Sequence, residues 1–263
     1  GIEEGRYTSD FIEKSRSKPG FSVLYEVKFP DADAVDDKGW SLLLSEEDVD
    51  AVMVENGSGF GFLKVGCDPS GEGTNFTTAV KRYRNYASIL FKERILDQFR
   101  FTERLVEWKK NLQRTGDMLP MGYYVDRVGV GEGYYQTLNR DLESVYGINV
   151  GQKPFDEEGF VNLRAEAFWK LRAAIKTKQL QLQKNEDWYQ LAKIKYRTKL
   201  EGKRGKIEIM SKEEMRANGI DSPDIADALM LTFVHPDPVD TAYQDTEQKI
   251  ETFDRFALFN EID

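Results

Sequence analysis

Four aspartates in three short segments of this chain stand where they could share a metal cation. Asp68 and Asp126 each follow a short apolar run, so each is expected at the end of a strand. Asp224 and Asp227 are three residues apart at the start of another apolar run, and on a helix they share one face. Carboxylate oxygens in such an arrangement suit Mg²⁺ or Mn²⁺, and these cations activate water for attack on a phosphodiester. The four residues therefore predict a metal-dependent nuclease.

Each of these segments also has a simpler structural interpretation. Asp68 precedes the glycine-rich stretch 70–73 and suits the cap of a tight turn, while Asp126 suits an acid that interacts with a helix dipole. A helix start accepts Asp224 readily, but it does not explain Asp227, which lies among apolar residues and needs a partner. A cation is a natural partner, and aspartates at the ends of two adjacent strands would face each other. The complete set favours the functional interpretation.

The chain contains one cysteine, Cys67, and one histidine, His235. With a single cysteine and a single histidine, the sequence cannot form an intramolecular disulfide, a zinc site with several thiolates or a multi-histidine metal site. We expect Cys67 to pack in a buried strand and His235 to follow a helix rather than to act in catalysis. No Gly-Lys-Ser/Thr follows a glycine-rich loop, so the sequence has no Walker motif.

The net charge of −9 would argue against nucleic acid as a partner if the charge were spread evenly. It is not, because residues 165–212 carry about +8, residues 1–60 about −8 and residues 221–263 about −9. A local basic segment can follow the phosphates of DNA while the acidic ends keep the protein soluble. The sequence has no apolar stretch long enough to span a bilayer, so no membrane partner is expected.

The elements that must position the aspartates follow from hydrophobic periodicity. Strands come first, and helices and strands then alternate, which predicts an α/β core with a mixed sheet. The expected strands cover residues 62–67, 76–86, 87–92, 121–125 and 147–150, the expected helices cover 99–112, 131–146, 162–175, 186–194 and 225–234, and a hairpin covers 195–210.

Loop signals divide the chain into three parts. A glycine-rich cluster at 56–59 marks a boundary after a loop-rich lead-in, in which a short helix is expected after Ser45. Prolines after His235 isolate an acidic tail. We therefore expect a lead-in over residues 1–60, a globular domain over 61–235 and a tail over 236–263.

Taken together, the three aspartate segments resemble the nuclease domain of the large terminase subunit of tailed bacteriophages, a member of the RNase H-like and Holliday-resolvase superfamily. The resemblance covers about residues 62–235, and the lead-in around 30–52 is similar to the segment that joins a terminase ATPase to its nuclease. It rests on the order and spacing of Asp68-Pro69-Ser70-Gly71-x-Gly73, Val125-Asp126-x-x-Gly129-x-Gly131 and Pro223-Asp224-x-x-Asp227-Ala228-Leu229. The implied fold is an RNase H-like mixed central sheet flanked by helices, with an added β-hairpin and N- and C-terminal extensions.

The resemblance implies that Asp68, Asp126 and Asp227 are catalytic metal ligands and that Asp224 is a fourth ligand. It further implies hydrolysis at two bound Mg²⁺ or Mn²⁺ ions. Many relatives carry an acid shortly after the first motif, where this chain has Asn75, so Asn75 is not counted as a ligand. Glu72 and Glu132 are nearby loop acids that are not counted either.

The hairpin is the candidate surface for DNA. Alternation along a strand would place basic side chains on one face, and we expect neither flank to balance their charge. An edge hairpin protected by solvated lysines is the simpler interpretation. The candidate DNA-binding residues are Lys195, Arg197, Lys199, Lys203, Arg204 and Lys206.

The resemblance implies an endonuclease that cuts double-stranded DNA, without strong sequence specificity, during phage genome packaging in the host cytoplasm. The implied partners are DNA, a motor ATPase domain that this sequence does not contain, a portal protein and a small terminase subunit. Three alternatives remain open: a junction-resolvase-like nuclease, a catalytically weak DNA-binding packaging module, and an actin- or sugar-kinase-like ATPase, for which the chain is short.

Overall fold

The computed structural model describes residues 35–71, 75–94, 97–201 and 204–238, and its centre is a seven-stranded mixed sheet. In chain order the elements are β1 (Ser41–Leu42), α1 (Glu46–Asp50), β2 (Met53–Val54), β3 (Leu63–Asp68), β4 (Thr77–Tyr83), β5 (Tyr86–Glu93), α2 (Gln98–Thr115), β6 (Gly122–Asp126), α3 (Gly131–Asp141), β7 (Val145–Ile148), α4 (Leu163–Lys176), β8 (Gln181–Gln183), a 3₁₀ helix (Glu186–Lys193), β9 (Lys195–Glu201), β10 (Arg204–Ile209), α5 (Lys212–Ala217) and α6 (Asp224–Leu231).

The strand order of the large sheet is β2-β8-β5-β4-β3-β6-β7. β3, β4 and β5 pair antiparallel, whereas β6 runs parallel to β3 and β7 runs parallel to β6. On the far side β8 is parallel to β5 and β2 is parallel to β8. This arrangement confirms the predicted α/β fold with a mixed central sheet flanked by helices.

Helices cover both faces of this sheet. On one face α2 and α3 bring Phe101, Leu105 and Leu138 against Val65 and Val125. On the other face α4, α6 and the 3₁₀ helix form the larger apolar cluster. Because successive strand residues point to opposite faces, a strand buried on both sides has few polar positions, and β3 is buried along its whole length. Cys67 lies in the first of these clusters as a buried free thiol, and burial raises its pKa.

A second sheet has the order β1-β9-β10 and contains the predicted hairpin. Among the described residues, no helix has the length and apolar character needed to span a membrane.

Several predicted boundaries are wrong for identifiable reasons. The helix expected over 131–146 ends at Asp141, because Ser144 has a left-handed φ of 56° and turns the chain into β7. The helix expected over 225–234 ends at Leu231, and the segment expected as a helix over 186–194 is 3₁₀. Hydrophobic periodicity does not predict α5, β8 or the two short strands of the lead-in.

The described part of the lead-in contributes several side chains to the core. Trp40, Leu43, Leu44 and Val49 are buried in the same cluster as α4 and α6, and β2 extends the large sheet. The short helix expected after Ser45 is present as α1, with Ser45 as its N-cap. The domain division at residue 60 stays a prediction, and residues 1–34 and 239–263 lie outside the described part of the chain.

Candidate functional site

The pairing of β3 with β6 brings two of the predicted residues together. Cys67 pairs with Val125 in this parallel ladder, so Asp68 and Asp126 stand side by side where the two strands end. Adjacent strands lie about 4.8 Å apart, which places both carboxyl groups at one edge of the sheet. Asp68 is 5% exposed, and Asp126 is partly buried and accepts a hydrogen bond of 3.1 Å from the Val128 amide.

Helix α6 adds Asp224 and Asp227 to this edge. The helix packs against β3 so closely that a Cβ on Gly66 would lie 1.8 Å from the carbonyl oxygen of Ala228. Only glycine tolerates that approach, so the glycine in the middle of β3 sets the position of the helix. Both helix aspartates are almost fully buried, at 4% and 2% exposed.

Asp227 is held by an arginine from α4. Arg164 donates from Nε and Nη2 to Oδ1 of Asp227, at 3.2 and 3.0 Å, and from Nη1 to the Met210 carbonyl at 2.8 Å. Asn162 caps α4 two residues earlier, which starts the helix at the right place for this contact. The arginine and the aspartate are both buried, so each supplies the charge that the other requires.

Lys212 lies among the acids and was not predicted. Its ammonium is 3.4 Å from both carboxylate oxygens of Asp68 and 3.2 Å from Oδ2 of Asp227. Oδ2 of Asp227 is fully buried and has no partner in hydrogen-bond geometry among the described residues, so its contact with Lys212 is electrostatic. Lys212 opens α5, which Ser211 and Glu214 cap reciprocally.

The electrostatics show that this cluster is short of positive charge. Burial raises the pKa of Asp68, and the neighbouring carboxylates of Asp227, Asp126 and Asp224 raise it further, against the opposing effect of Lys212. Burial likewise raises the pKa of Asp126 and Asp224.

The pKa values of Asp227 and Lys212 shift so that the charged form of each side chain is favoured. For Asp227 burial is outweighed by Arg164 and Lys212, so its pKa is lowered. For Lys212 burial is outweighed by Asp227 and Asp68, so its pKa is raised.

The donor chemistry of these residues suits a divalent cation, but their present arrangement, with Lys212 among the carboxylates, does not hold one. The donor set is composed of hard carboxylate oxygens, and one buried oxygen of Asp227 has no hydrogen-bond donor. Within the described residues, no three Asp, Glu, His or Cys side chains are arranged so that they could hold a metal ion as they stand. The positive charge between Asp68 and Asp227 is the Lys212 ammonium.

Contacts within the protein account for Asn75, Glu132 and His235. Asn75 is exposed, and its backbone oxygen accepts a bond from Ser70. Glu132 pairs with Arg127 at 2.8 Å on the surface. His235 follows α6 and packs edge-on against the rings of Tyr124 and Tyr146. Glu72 lies outside the described residues.

The hairpin carries cations that are largely paired. Lys195 contacts Asp36 at 2.7 Å, and Arg197 and Lys199 share Glu208 at 2.6 and 3.3 Å. The expectation that neither flank balances these charges is therefore wrong for those three residues. Lys206 lies on β10, Lys203 is outside the described residues, and nothing is described of the Arg204 side chain.

The fold is that of the nuclease domains of large terminase subunits. The nuclease domain of the large terminase subunit gp2 of bacterial virus Sf6 is 20% identical, with a TM-score of 0.60 over 75% of this chain and 100% of that one. Two structures of a mutant of that domain contain manganese. The large terminase nuclease of thermophilic phage G20c is 12% identical, with a TM-score of 0.50 over 72% of this chain and 97% of that one.

At 20% and 12% sequence identity, the structural similarity shows the fold alone. No protein-family model and no curated protein sequence matches the chain.

Proposed function

We propose that this chain is a divalent-metal-dependent endodeoxyribonuclease that cuts double-stranded DNA, without strong sequence specificity, during phage genome packaging. The observation that carries the proposal is the convergence of four buried or partly buried carboxylates at one sheet edge, with one carboxylate oxygen of Asp227 lacking a donor. The likeness of the fold to terminase nuclease domains supports it, as does the manganese in two structures of the mutant Sf6 domain.

In this proposal Asp68, Asp126 and Asp227 hold the catalytic Mg²⁺ or Mn²⁺, and Asp224 is a further ligand. Two such cations would lower the pKa of the attacking water and stabilise the leaving 3′ oxygen. Arg164 fixes the orientation of Asp227 through Oδ1 and leaves Oδ2 available as a ligand atom. Lys212 neutralises the acids when no metal is bound.

The substrate and partners follow from the same proposal. DNA would be bound through its phosphates, with contributions from the hairpin residues Lys195, Arg197, Lys199, Lys203, Arg204 and Lys206. Lys195, Arg197 and Lys199 would exchange their present carboxylate partners for phosphates. An ATPase domain, a portal protein and a small terminase subunit would complete the packaging assembly in the host cytoplasm, with no membrane involved.

Cleavage of supercoiled plasmid in Mg²⁺ or Mn²⁺ tests the proposal. The wild-type chain should nick and linearise the plasmid, and Asp68→Asn and Asp227→Asn should each abolish this, because each variant removes a ligand charge. Asp37→Asn is the matched control, because Asp37 is exposed and distant in sequence from the cluster.

Equal activity of all three variants would rule out the acid cluster as the active site. A wild-type chain that binds DNA but leaves plasmid intact with every divalent metal would indicate a DNA-binding packaging module. Preferential cleavage of four-way junctions over linear duplex would indicate a resolvase-like nuclease.

A further inference from the structure

A pocket of about 440 Å³ lies directly beside the acid cluster, and the metal chemistry does not use it. Asp224 forms part of its wall, so a ligand in the pocket would lie next to the proposed metal centre. The wall also contains two aromatic rings, Phe76 and Tyr189, and the cations Lys92, Arg94 and Lys193. Pockets of this size accept small organic groups, and such a mixture of rings and cations suits a nucleotide.

Two of the three cations are available to a ligand. Lys92 is paired with Asp187 at 2.6 Å, which neutralises it. Arg94 and Lys193 are exposed, and none of the described residues forms an ion pair with either. The Arg94 guanidinium stands over the Phe76 ring, 5.2 Å from its centroid, which orients it at the rim of the pocket.

The 3₁₀ helix links Lys193 to the acid cluster. In a 3₁₀ helix residues i and i+3 eclipse, so Asp187, Gln190 and Lys193 form one row, and all three line the pocket. Gln190 accepts a hydrogen bond of 2.8 Å from the amide of Ile225, the residue after Asp224. Lys193 follows Gln190 by one turn of the 3₁₀ helix, which is a rise of about 6 Å along the helix axis.

We propose that this pocket binds the nucleotide that flanks the scissile phosphodiester, with its phosphate on Arg94 and Lys193 and its sugar against Phe76 and Tyr189. The proposal rests on the proposed nuclease function and names a strand-positioning site for it. Arginine presents a planar fork that matches phosphate, and lysine adds a point charge. Four acids also line the pocket, Glu186, Asp187, Asp221 and Asp224, and Asp187 is paired with Lys92, so phosphate binding is confined to the other two cations.

The test is equilibrium binding of a labelled duplex oligonucleotide in metal-free buffer at several salt concentrations, where no cleavage competes. Lys193→Gln and Arg94→Gln should each raise Kd about threefold to tenfold and reduce the slope of log K against log salt by about 1, the signature of one lost phosphate contact. Lys110→Gln is the matched control, because Lys110 is an exposed lysine of α2 outside the pocket.

Pocket variants with the same Kd and salt slope as Lys110→Gln would overturn this proposal, even if the wild-type chain cleaves plasmid and Asp68→Asn does not. A wild-type chain that does not bind the duplex at all would also overturn it. In the converse case, selective loss of binding in the pocket variants of a chain that never cleaves would support the pocket as a DNA-binding site and would reject both the nuclease and the assignment to a scissile phosphodiester.

Discussion

At the residue scale, Lys212 places an ammonium where the acid cluster needs a cation. Its Nζ lies within 3.4 Å of Asp68 and 3.2 Å of Asp227, and both carboxylates raise its pKa. Because like-charged carboxylates in a buried site repel each other, this contact stabilises the metal-free protein. It also means that a divalent cation binding to the same oxygens must displace the ammonium or share them with it.

Replacing Lys212 with methionine should therefore change how the protein responds to metal. Without metal, Lys212→Met should lower the melting temperature, because Asp68 and Asp227 then lack a cation. Added Mn²⁺ should raise the melting temperature of Lys212→Met more than that of the wild type. A tenfold gain in metal affinity would correspond to about 1.4 kcal/mol at saturating metal.

Thermal unfolding with and without Mn²⁺ measures this difference. The control is Lys110→Met, a change on α2 that should leave both melting temperatures close to those of the wild type. An equal response of Lys212→Met and wild type to Mn²⁺ would show that the ammonium and the metal do not compete.

Arg164 is expected to act on cleavage through Asp227. Arg164→Lys keeps the charge but cannot reproduce the two bonds to Asp227 and the third to Met210. We expect cleavage to fall about 10- to 100-fold while the protein stays folded, since partners that orient a metal ligand have effects of this size. Plasmid cleavage over a range of Mn²⁺ concentrations tests this, with Arg216→Lys on the exposed side of α5 as the control.

Higher metal should partly rescue Arg164→Lys, because a misplaced Asp227 weakens metal binding. Normal cleavage by this variant would mean that Asp227 does not need the arginine.

The sequence indicates the four aspartates but not their cationic partners, for a physical reason. Strand ends and a three-residue helical spacing are local patterns, whereas Lys212 meets Asp68 across 144 positions and Arg164 meets Asp227 across 63. One local signal for Lys212 exists, because a lysine in the first turn of a helix opposes the helix dipole. Such a residue requires a compensating partner, and here the acids supply it.

At the element scale, periodicity predicted the strands that carry the site better than the connections between them. The ends of β3 and β6 agree with prediction to one residue, since a buried strand is a continuous apolar run that stops where it reaches solvent. The turn at Ser144 and the 3₁₀ geometry of 186–193 were missed because they depend on backbone conformations that tertiary packing selects.

Gly66 is the element-scale determinant of the site, because it sets the distance between β3 and α6. Gly66→Ala should force the helix away from the strand and displace Asp224 and Asp227 from Asp68. We expect a loss of about 1–3 kcal/mol in the free energy of unfolding, together with loss of cleavage. Urea denaturation and plasmid cleavage measure the two effects.

Gly151→Ala is the matched control. A Cβ added at Gly151 would lie no closer than 3.4 Å to any neighbouring atom, the nearest being a side-chain oxygen of Asn149. If Gly66→Ala were as stable and active as Gly151→Ala, the close approach would not determine the geometry of the site.

At the scale of the whole molecule, β4 fixes α6 at both ends. Near the acids, Thr78 donates to the carbonyl of Asp224 at 3.0 Å, and at the other end Arg82 donates to the Thr232 side chain and carbonyl at 2.8 and 2.9 Å. Beyond the helix, Asp237 accepts from Arg82 and from Lys64. Lys64 is the second residue of β3 and Asp68 is its last, so this ion-pair cluster anchors the chain at the end of the strand opposite the candidate active site.

Asp237→Asn should lower the free energy of unfolding by about 2 kcal/mol at neutral pH. Lys64 and Arg82 are buried cations, and the substitution removes the charge that compensates them; the partial exposure of Asp237 keeps the loss below that of a fully buried pair. Cleavage should persist at low temperature, because the acids at the other end of β3 keep their own contacts.

The stability lost in Asp237→Asn should depend on pH, because the folded protein shifts the pKa of Asp237. Burial raises the pKa of Asp237, but the hydrogen bonds and charges of Arg82 and Lys64 outweigh burial and hold the pKa below its ordinary value. The folded protein therefore binds this proton less readily than the unfolded chain, whose aspartates titrate near pH 4. The stability difference between wild type and Asp237→Asn should be constant above about pH 5 and should shrink as the pH falls through the folded pKa. Urea denaturation at stepped pH measures it, with Asp37→Asn as the control, and a difference that grew as the pH fell would contradict the assigned ion pair.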